Sequence, residues 1–535
     1  MLAASQIAGQ QGLWLLELDL GGELLRVSTQ AVVLTTEDGQ VLRYEGGLSD
    51  PGVAFDGQID SIGLELSSSR HIWTQLQAQG QALERCTGVL RRWFTGQPLE
   101  RSRVVLRGIT GSPICGYLDD PGLLSIELRR VVADLGDTVP AAQHVVDGTT
   151  WPVRPAYPQD SNVNGAFYPV VIGRPGQADS GGQATPGLLV EGLQHPSSRL
   201  LVAGHRVAAA KVTVWNMSSA PPQYELRTTY EVADKLGQVV TYTDFQAVTK
   251  PGFQADEGLK WWVGWHALGG LTWRGQELRG LGKVLEWAAT EHSAAVVDVG
   301  RMRAAAATLD SYKVDTCINA PANMLDWVRG QLATVYPIRE ITGDGGLYWA
   351  HVRWDYTARD AVAHLSAARG EIRSAGPLAA RELDLYNEIT VEYCPSMMSG
   401  RYRRRTTITG ATRAREIGTA APETVLGSLR CQLSQSRWGV RAATISCPTI
   451  DEPATAARIA QHLAALHASP KRWGIWVGGP ELEALPLLSC VQITDASKHL
   501  DGVLGLVERI EPRAGEVELE ITLLDDPVRQ NVATT

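Results

Sequence analysis

The chain holds few of the residues from which reactive centres are built. Its seven cysteines are scattered, odd in number and never spaced Cys-x-x-Cys, so neither a zinc site nor a disulfide framework is encoded. They read as buried thiols of a protein folded in a reducing cytoplasm. No run of about 18 apolar residues occurs, which excludes a membrane-spanning helix. The first residues, Met1-Leu-Ala-Ala-Ser-Gln-Ile7, lack the charged region and apolar core of a secretory signal, so a soluble protein without signal peptide or stable membrane insertion is expected. Nor is there a basic excess. With 49 Lys and Arg against 58 Asp and Glu, the net charge is -9, which argues against a protein that grips nucleic acid by its phosphates. Phenylalanine is scarce at 5 residues, whereas tryptophan, at 16, is abundant enough to need an explanation.

A chain of 535 residues is too long for one core and suggests several domains. Near the N-terminus, Leu16, Leu18 and Leu20 alternate with Glu17 and Asp19, and Gly21-Gly22 then predicts a hairpin into Glu23–Ser28. Further alternating runs end with Leu123–Arg130, and Ile72 to Trp93 is expected to be helical in part. A proline-rich stretch follows, in which Tyr168–Gly176, Leu200–His205 and Ala210–Trp215 read as a compact β module, continued by Tyr224–Val248. Leu281, Val284, Leu285 and Ala288 form one helical face, and Leu325, Val328, Leu332 and Val335 another. The second leads through Pro337 to Ile338–Ile341, a glycine turn at Gly343–Gly346, and Leu347–Trp354, an α/β layer.

The last third is the most legible. Strands are expected at Glu388–Tyr393 and Val440–Ser446. A helix starts at Asp451 and Pro453, buries Ile459, Leu463 and Leu466, and stops at Ser469-Pro470. Extended segments from Trp473 to Thr494 break at Gly478-Gly479-Pro480, and a final hairpin pairs Val503–Ile510 with Glu516–Leu524. The expectation is a small antiparallel barrel or sandwich plugged by a single helix.

Candidate chemistry is thin. Trp261, Trp262, Trp265 and Trp273 among glycines suggest sugar stacking, but tryptophan more often fills cores and subunit contacts. Gly282-Lys283 is not a phosphate loop, because Glu277 and Val284 stand where Gly and Ser or Thr are required. Glu291-His292 with Asp298, and His144 with Asp147, lack metalloprotease spacing. His205 beside Arg206 has no nucleophile elbow to serve. Glu516, Glu518 and Glu520 alternate onto one wet strand face, although a glycosidase pair meeting only in the fold stays open. The basic run Arg401-Tyr-Arg-Arg-Arg405 reads as a salt-bridging strip rather than a DNA grip. Asn216-Met-Ser218 matches a glycosylation acceptor, which has no role without secretion. No catalytic, cofactor-binding or metal residue is assigned and no cofactor is expected, so the chain reads as a non-enzyme.

The order of elements after Tyr386, with Arg437-Trp438-Gly439 entering the second strand and Thr455-Ala-Ala-Arg-Ile-Ala460 opening the helix, resembles the C-terminal domain of tail-hub proteins of long-tailed bacteriophages, contractile baseplates and gene transfer agents. Segments of the proline-rich module and residues 282–354 resemble parts of the same proteins. The resemblance implies a multidomain, mainly β protein with α+β parts, in which two β-barrel-like hub domains flank β and α/β peripheral modules. The expected division is a hub domain at 1–150, a β module at 151–248, an α/β middle domain at 249–385, a second hub domain with one helix at 386–527, and a tail at 528–535. It further implies a homotrimer at the tail tip of the virion, made in the bacterial host cytoplasm, that joins a hexameric tail tube to the tip. Its partners would be tail-tube or distal tail proteins, the tape measure protein and tail-fibre or tip proteins, with DNA only passing through the channel. A carbohydrate-binding or glycan-degrading tip protein, or the hub of a contractile secretion machine, is the alternative.

Overall fold

The computed structural model describes residues 12–57, 59–67, 84–112, 114–115, 123–130, 138–151, 165–176, 185–191, 198–216, 223–244, 261–265, 269–342, 346–354, 356–380, 385–395, 401–410, 423–513 and 516–524. They form a mainly β, multidomain protein with a minority of helix: α1 Leu281–Glu291, α2 Val299–Leu309, the short α3 Met324–Trp327, α4 Leu429–Trp438 and α5 Pro453–His467.

At the N-terminal end, Gly21 and Gly22 take positive φ, 85° and 116°, and their amides donate to Asp19 Oδ1 at 3.0 and 2.9 Å. Such a turn closes the expected hairpin of Gly12–Asp19 with Leu24–Ser28. Alternation sends Trp14, Leu16 and Leu18 into the main core. Leu13 and Leu15 point the other way, but the hairpin Val32–Thr35 with Val41–Gly46 covers them with Leu34, Leu42 and Tyr44. Both faces of the strand are therefore buried, and Glu17 is held by Arg26 and Arg91 at 3.4 Å and by the Tyr44 hydroxyl at 2.8 Å.

This sheet runs Val32–Thr35, Val41–Gly46, Leu24–Ser28, Gly12–Asp19, Thr87–Phe94, Arg103–Thr110, Leu123–Arg130, Ser61–Ser67. It curls shut through Gly47 and Leu48, whose amides donate to Ser28 O at 3.1 Å while Ser67 N donates to Gly47 O at 2.6 Å. A Cβ at Gly47 would lie 2.1 Å from Ser67 O, so closure needs glycine there. The C-terminal sheet runs Ala363–Ser366, Cys490–Asp495, Leu500–Arg513, Glu516–Leu523, Arg472–Gly478, Ile372–Ser374. Its two end strands follow one another in sequence, joined by a turn in which Glu371 N donates to Ser366 O at 3.1 Å.

Four strands recur in the two sheets. In the first, Ser61–Ser67 is followed across the sheet by the third, second and first strands of the succession Thr87–Phe94, Arg103–Thr110, Leu123–Arg130, all antiparallel. In the second, Arg472–Gly478 is followed in the same way by the third, second and first strands of Cys490–Asp495, Leu500–Arg513, Glu516–Leu523, again all antiparallel. Between the first and second strands of each succession the register slips, at Leu90/Arg91 and at Ile493/Asp495, the kink that helps a sheet curl. Beyond this shared path the sheets diverge. Thr87–Phe94 continues antiparallel to Gly12–Asp19, whereas Cys490–Asp495 continues parallel to Ala363–Ser366.

A second C-terminal sheet, Glu423–Gly427, Tyr402–Thr409, Glu388–Pro395, Ala442–Ser446, carries α5 on one face through Ile459, Ala460 and Leu463. The expected all-antiparallel pairing fails here, since Glu388–Pro395 runs parallel to Ala442–Ser446 and Tyr402–Thr409 parallel to Glu423–Gly427. The expected single helix is joined by α4, which ends at Trp438 with Gly439 as its C-cap, just ahead of the strand Ala442–Ser446 that was expected at Val440–Ser446. Ser428 caps it, but it buries only Cys431 and Ser434, so its sequence carries no apolar stripe. Likewise Thr87–Phe94, inside the stretch expected to be partly helical, is a strand, and the earlier part of that stretch lies outside the described residues.

One hydrophobic core runs from Trp14 through α1, α2 and the Ile338–Ile341/Tyr348–His351 hairpin to Leu524. The module of strands Thr185–Glu191 to Trp261–Gly264 stands apart from it, with Val171, Leu200, Val202, Val214 and Trp265 in one small core and Trp151, Tyr168, Leu201 and Val240 in another.

Candidate functional site

The two sheets that share a strand path meet at a seam built from residues of opposite ends of the chain. Phe55, on the segment between Val41–Gly46 and Ser61–Ser67, exchanges backbone bonds with Ile510 of the final hairpin at 2.6 and 2.9 Å, and its ring is fully buried. The Arg103 guanidinium lies 4.0 Å from that ring and donates to Glu483 O at 3.2 Å. Beside it Arg92 Nε donates to both Glu483 carboxylate oxygens at 3.1 and 3.3 Å, with only 9% and 1% of the two side chains exposed. Burial pushes the Glu483 carboxyl above its ordinary range against the pull of Arg92 and Arg103. Where the first sheet touches the middle hairpin, Thr342 N donates to Gly57 O at 2.7 Å and Arg130 bonds the carbonyls of Ile59 and Thr342.

A second junction centres on Asp315, ahead of the strand Thr316–Ile318 that pairs with Val170–Ile172. Its carboxylate, fully buried, accepts from Arg174 N at 2.7 Å and from Arg279 Nε and Nη2 at 2.7 and 3.1 Å. Asp315 N in turn donates to Thr449 O at 2.9 Å. One residue thus ties the loop below the β module, the start of α1 and the C-terminal half together. Arg174 also holds Glu277 in a two-pronged pair at 2.7 and 2.6 Å. Both junctions are structural cross-braces that tie distant parts of the chain together.

Most of the residues singled out in the sequence, where the structure describes them, have structural partners. Trp265 is fully buried and donates to Thr185 Oγ1 at 3.0 Å, while Trp273 lies under Arg274 and donates to Glu291 at 3.1 Å. The side chains of Trp261 and Trp262 lie outside the described residues. Gly282 sits within α1, where a Cβ would come 2.5 Å from Ala306 Cα, so it permits helix contact rather than phosphate binding, and Lys283 bonds Gln276 at 2.5 Å. Asp298 caps α2 by accepting from Arg301 N at 3.0 Å, a helix signal the sequence reading did not use, and His292 sets its edge against Trp287. His144 stacks on Tyr168 and Asp147 caps its own turn through Thr149 and Thr150. Among the described residues no three His, Cys, Asp or Glu side chains form a metal site. Arg405 of the basic run pairs with Glu392 on the neighbouring strand at 2.8 Å, and Glu516 and Glu518 pair with Arg373 and Arg513 at 2.7 and 2.8 Å. Burial raises Cys317 and Cys447 to about 12 and Cys490 to about 11, which suits inert thiols.

His205 is braced at both nitrogens. Nε2 accepts from Val171 N at 3.0 Å and Nδ1 lies 2.8 Å from Arg206 O, an arrangement that fixes the neutral ring with its proton on Nδ1. Burial lowers its pKa from 6.5 to about 4. The unfolded chain therefore takes up a proton as pH falls below 6.5 while the folded chain resists until about 4, so stability drops across that window and levels off below it. His205→Gln is expected to flatten this part of the stability profile. Chemical denaturation of both proteins between pH 7 and about 4 checks it, and unchanged slopes would refute it.

No family model matches the sequence and no curated protein matches it closely. Among solved structures the chain is similar to a tail protein from Neisseria meningitidis MC58, at 11% identity and TM-score 0.34, covering 95% of this chain and 96% of that one. It is similar to a chain of the virion of a native gene transfer agent particle, at 12% identity and TM-score 0.34, over 72% and 89% of the two chains. The 43 kDa tail protein of prophage MuSo2 from Shewanella oneidensis is similar at 12% identity and TM-score 0.31, over 95% and 98%.

Proposed function

We propose that this chain is a non-enzymatic structural subunit of a phage-type tail tip or baseplate, acting as its hub. Three copies surround the tail axis, and the two related β units of each copy occupy successive places in a ring of six. The ring meets a hexameric tail tube on one side and a threefold tip on the other, and DNA only passes through it. Tube or distal tail proteins, the tape measure and tip or fibre proteins are its partners in the virion. The observation that supports this most directly is the strand path shared by the N-terminal and C-terminal sheets, which are locked side by side through Arg92, Glu483, Phe55 and Ile510. Two like units fixed as one block are what a threefold object needs to present sixfold contacts. Closed rings also leave no edge strands free, and an acidic chain does not hold passing DNA by its phosphates.

Sedimentation velocity of the full chain over rising concentration, followed by cryo-electron microscopy of the particle that contains it, tests the reading. The expected result is a trimer with both β units beside a central bore. A chain that stays monomeric at every concentration and whose β units lie away from any bore in the particle would overturn it.

A further inference from the structure

Two of the sheet edges among the described residues pair with a strand on one side only and lie beside flanks of opposite charge. Val32–Thr35 ends the N-terminal sheet, and Ala442–Ser446 ends the sheet beneath α5. They are four and five residues long, and neither contains a charge or a proline, the usual devices that stop an edge from pairing with another chain. Thr36 N donates to Gln40 O at 2.9 Å, and alternation from that bond turns the Leu34 amide toward its partner strand and the Val33 and Thr35 amides outward. Apolar surface accompanies both edges, since Val33 is 61% exposed and Val440, just before the second edge, is 41% exposed.

We infer that the edge Val32–Thr35 of one copy pairs antiparallel with the edge Ala442–Ser446 of the next copy, a head-to-tail contact that closes the ring. The inference rests on the hub reading and names the contact that holds the ring. Charge fixes the partner and the direction. Glu37 and Asp38 follow the first edge after Thr36, the exposed Arg441 directly precedes the second, and the exposed Arg437 stands near the end of α4 just ahead of it. Antiparallel pairing brings these acids onto these arginines, whereas parallel pairing separates them. A self-to-self pairing of either edge would gain no such complementarity. Because the two edges differ, the contact is heterologous and propagates until rotation closes it.

The test uses the full chain. Val33→Pro removes an outward amide without touching the inward hydrogen bonds of the hairpin, Asp38→Arg and Arg441→Asp each set like charges together, and the double variant Asp38→Arg/Arg441→Asp restores opposite charges in swapped places. Glu37 is left alone because it already meets Arg101 at 3.4 Å. Sedimentation velocity is expected to show self-association weakened at least about tenfold in each single variant and recovered in the double. Circular dichroism and thermal unfolding matched to wild type establish that each variant is folded. An oligomer that ignores all three substitutions, or a double variant no better than the singles, overturns this contact and leaves the hub reading standing. A wild-type chain that never self-associates overturns this contact, and the hub reading falls with it only where the β units also lie away from any bore in the particle.

Discussion

Replacing Arg92 by Ala is expected to destabilise the folded chain by about 3–5 kcal/mol, because it strands a carboxylate that the seam has already taken out of water. Glu483 is 1% exposed, and Arg92 supplies both hydrogen bonds to its carboxylate at the seam. The effect carries a pH signature that ordinary loss of packing lacks. Burial already holds the Glu483 carboxyl above 4.5, and loss of Arg92 raises it further. A carboxyl raised in the folded state binds its proton there more tightly than in the unfolded chain. The variant therefore loses stability as pH rises from 4.5 through the raised value, and its deficit is smallest in acid. Arg92→Met with Glu483→Leu, which removes both charges and keeps the volume, is expected to recover most of the loss. Denaturant unfolding at pH 4 and pH 7, read from the first transition, decides the matter. A deficit below about 1 kcal/mol at neutral pH, or one that grows in acid, would show that the pair does not hold the seam.

How much of this was legible beforehand follows from the range of the interactions. The final hairpin and α5 announce themselves because alternation and a three-to-four-residue apolar stripe are local patterns, and Pro453 and Gly21-Gly22 are local punctuation. α4 was missed because a helix that buries only Cys431 and Ser434 has no stripe to see. The cap of α2 is legible as Asp298 ahead of an alanine-rich run, but that residue was weighed only as a metal ligand and set aside, so the helix it starts went unread. The parallel pairing of Glu388–Pro395 with Ala442–Ser446 leaves no local trace, since each strand reads the same whichever way its neighbour runs. The seam is the extreme case. Arg92 and Glu483 lie 391 residues apart, and nothing in either neighbourhood marks one as the other's partner. The sequence shows two β-rich stretches flanking an α/β centre, and that texture alone invites the idea that they are distant copies. The feature that gives it substance, a common order of four strands, is a property of pairing and not of sequence.

Asp315→Ala is expected to cost a comparable amount, about 3–5 kcal/mol, and to do so by a different route. The residue lies between bodies with separate cores, so its loss should loosen their attachment more than either body itself. Its carboxylate, with no exposed surface, satisfies Arg174 N and two nitrogens of Arg279 at 2.7 to 3.1 Å. Alanine leaves those donors without their acceptor. Asparagine keeps one acceptor oxygen but brings a second donor toward Arg279 and removes the charge, so Asp315→Asn should fall between alanine and wild type. The β module keeps a second hold through the Arg174–Glu277 pair, which predicts partial release and not detachment. Hydrogen exchange should therefore quicken at Val170–Ile172 and Thr316–Ile318, the strand pair beside the brace, while Ser198–Ala203 inside the module stays protected. If exchange instead rises uniformly through the module, Asp315 supports its folding and not its attachment. If neither segment changes and the unfolding midpoint holds, the brace is dispensable, and the module is carried by the strand pair alone.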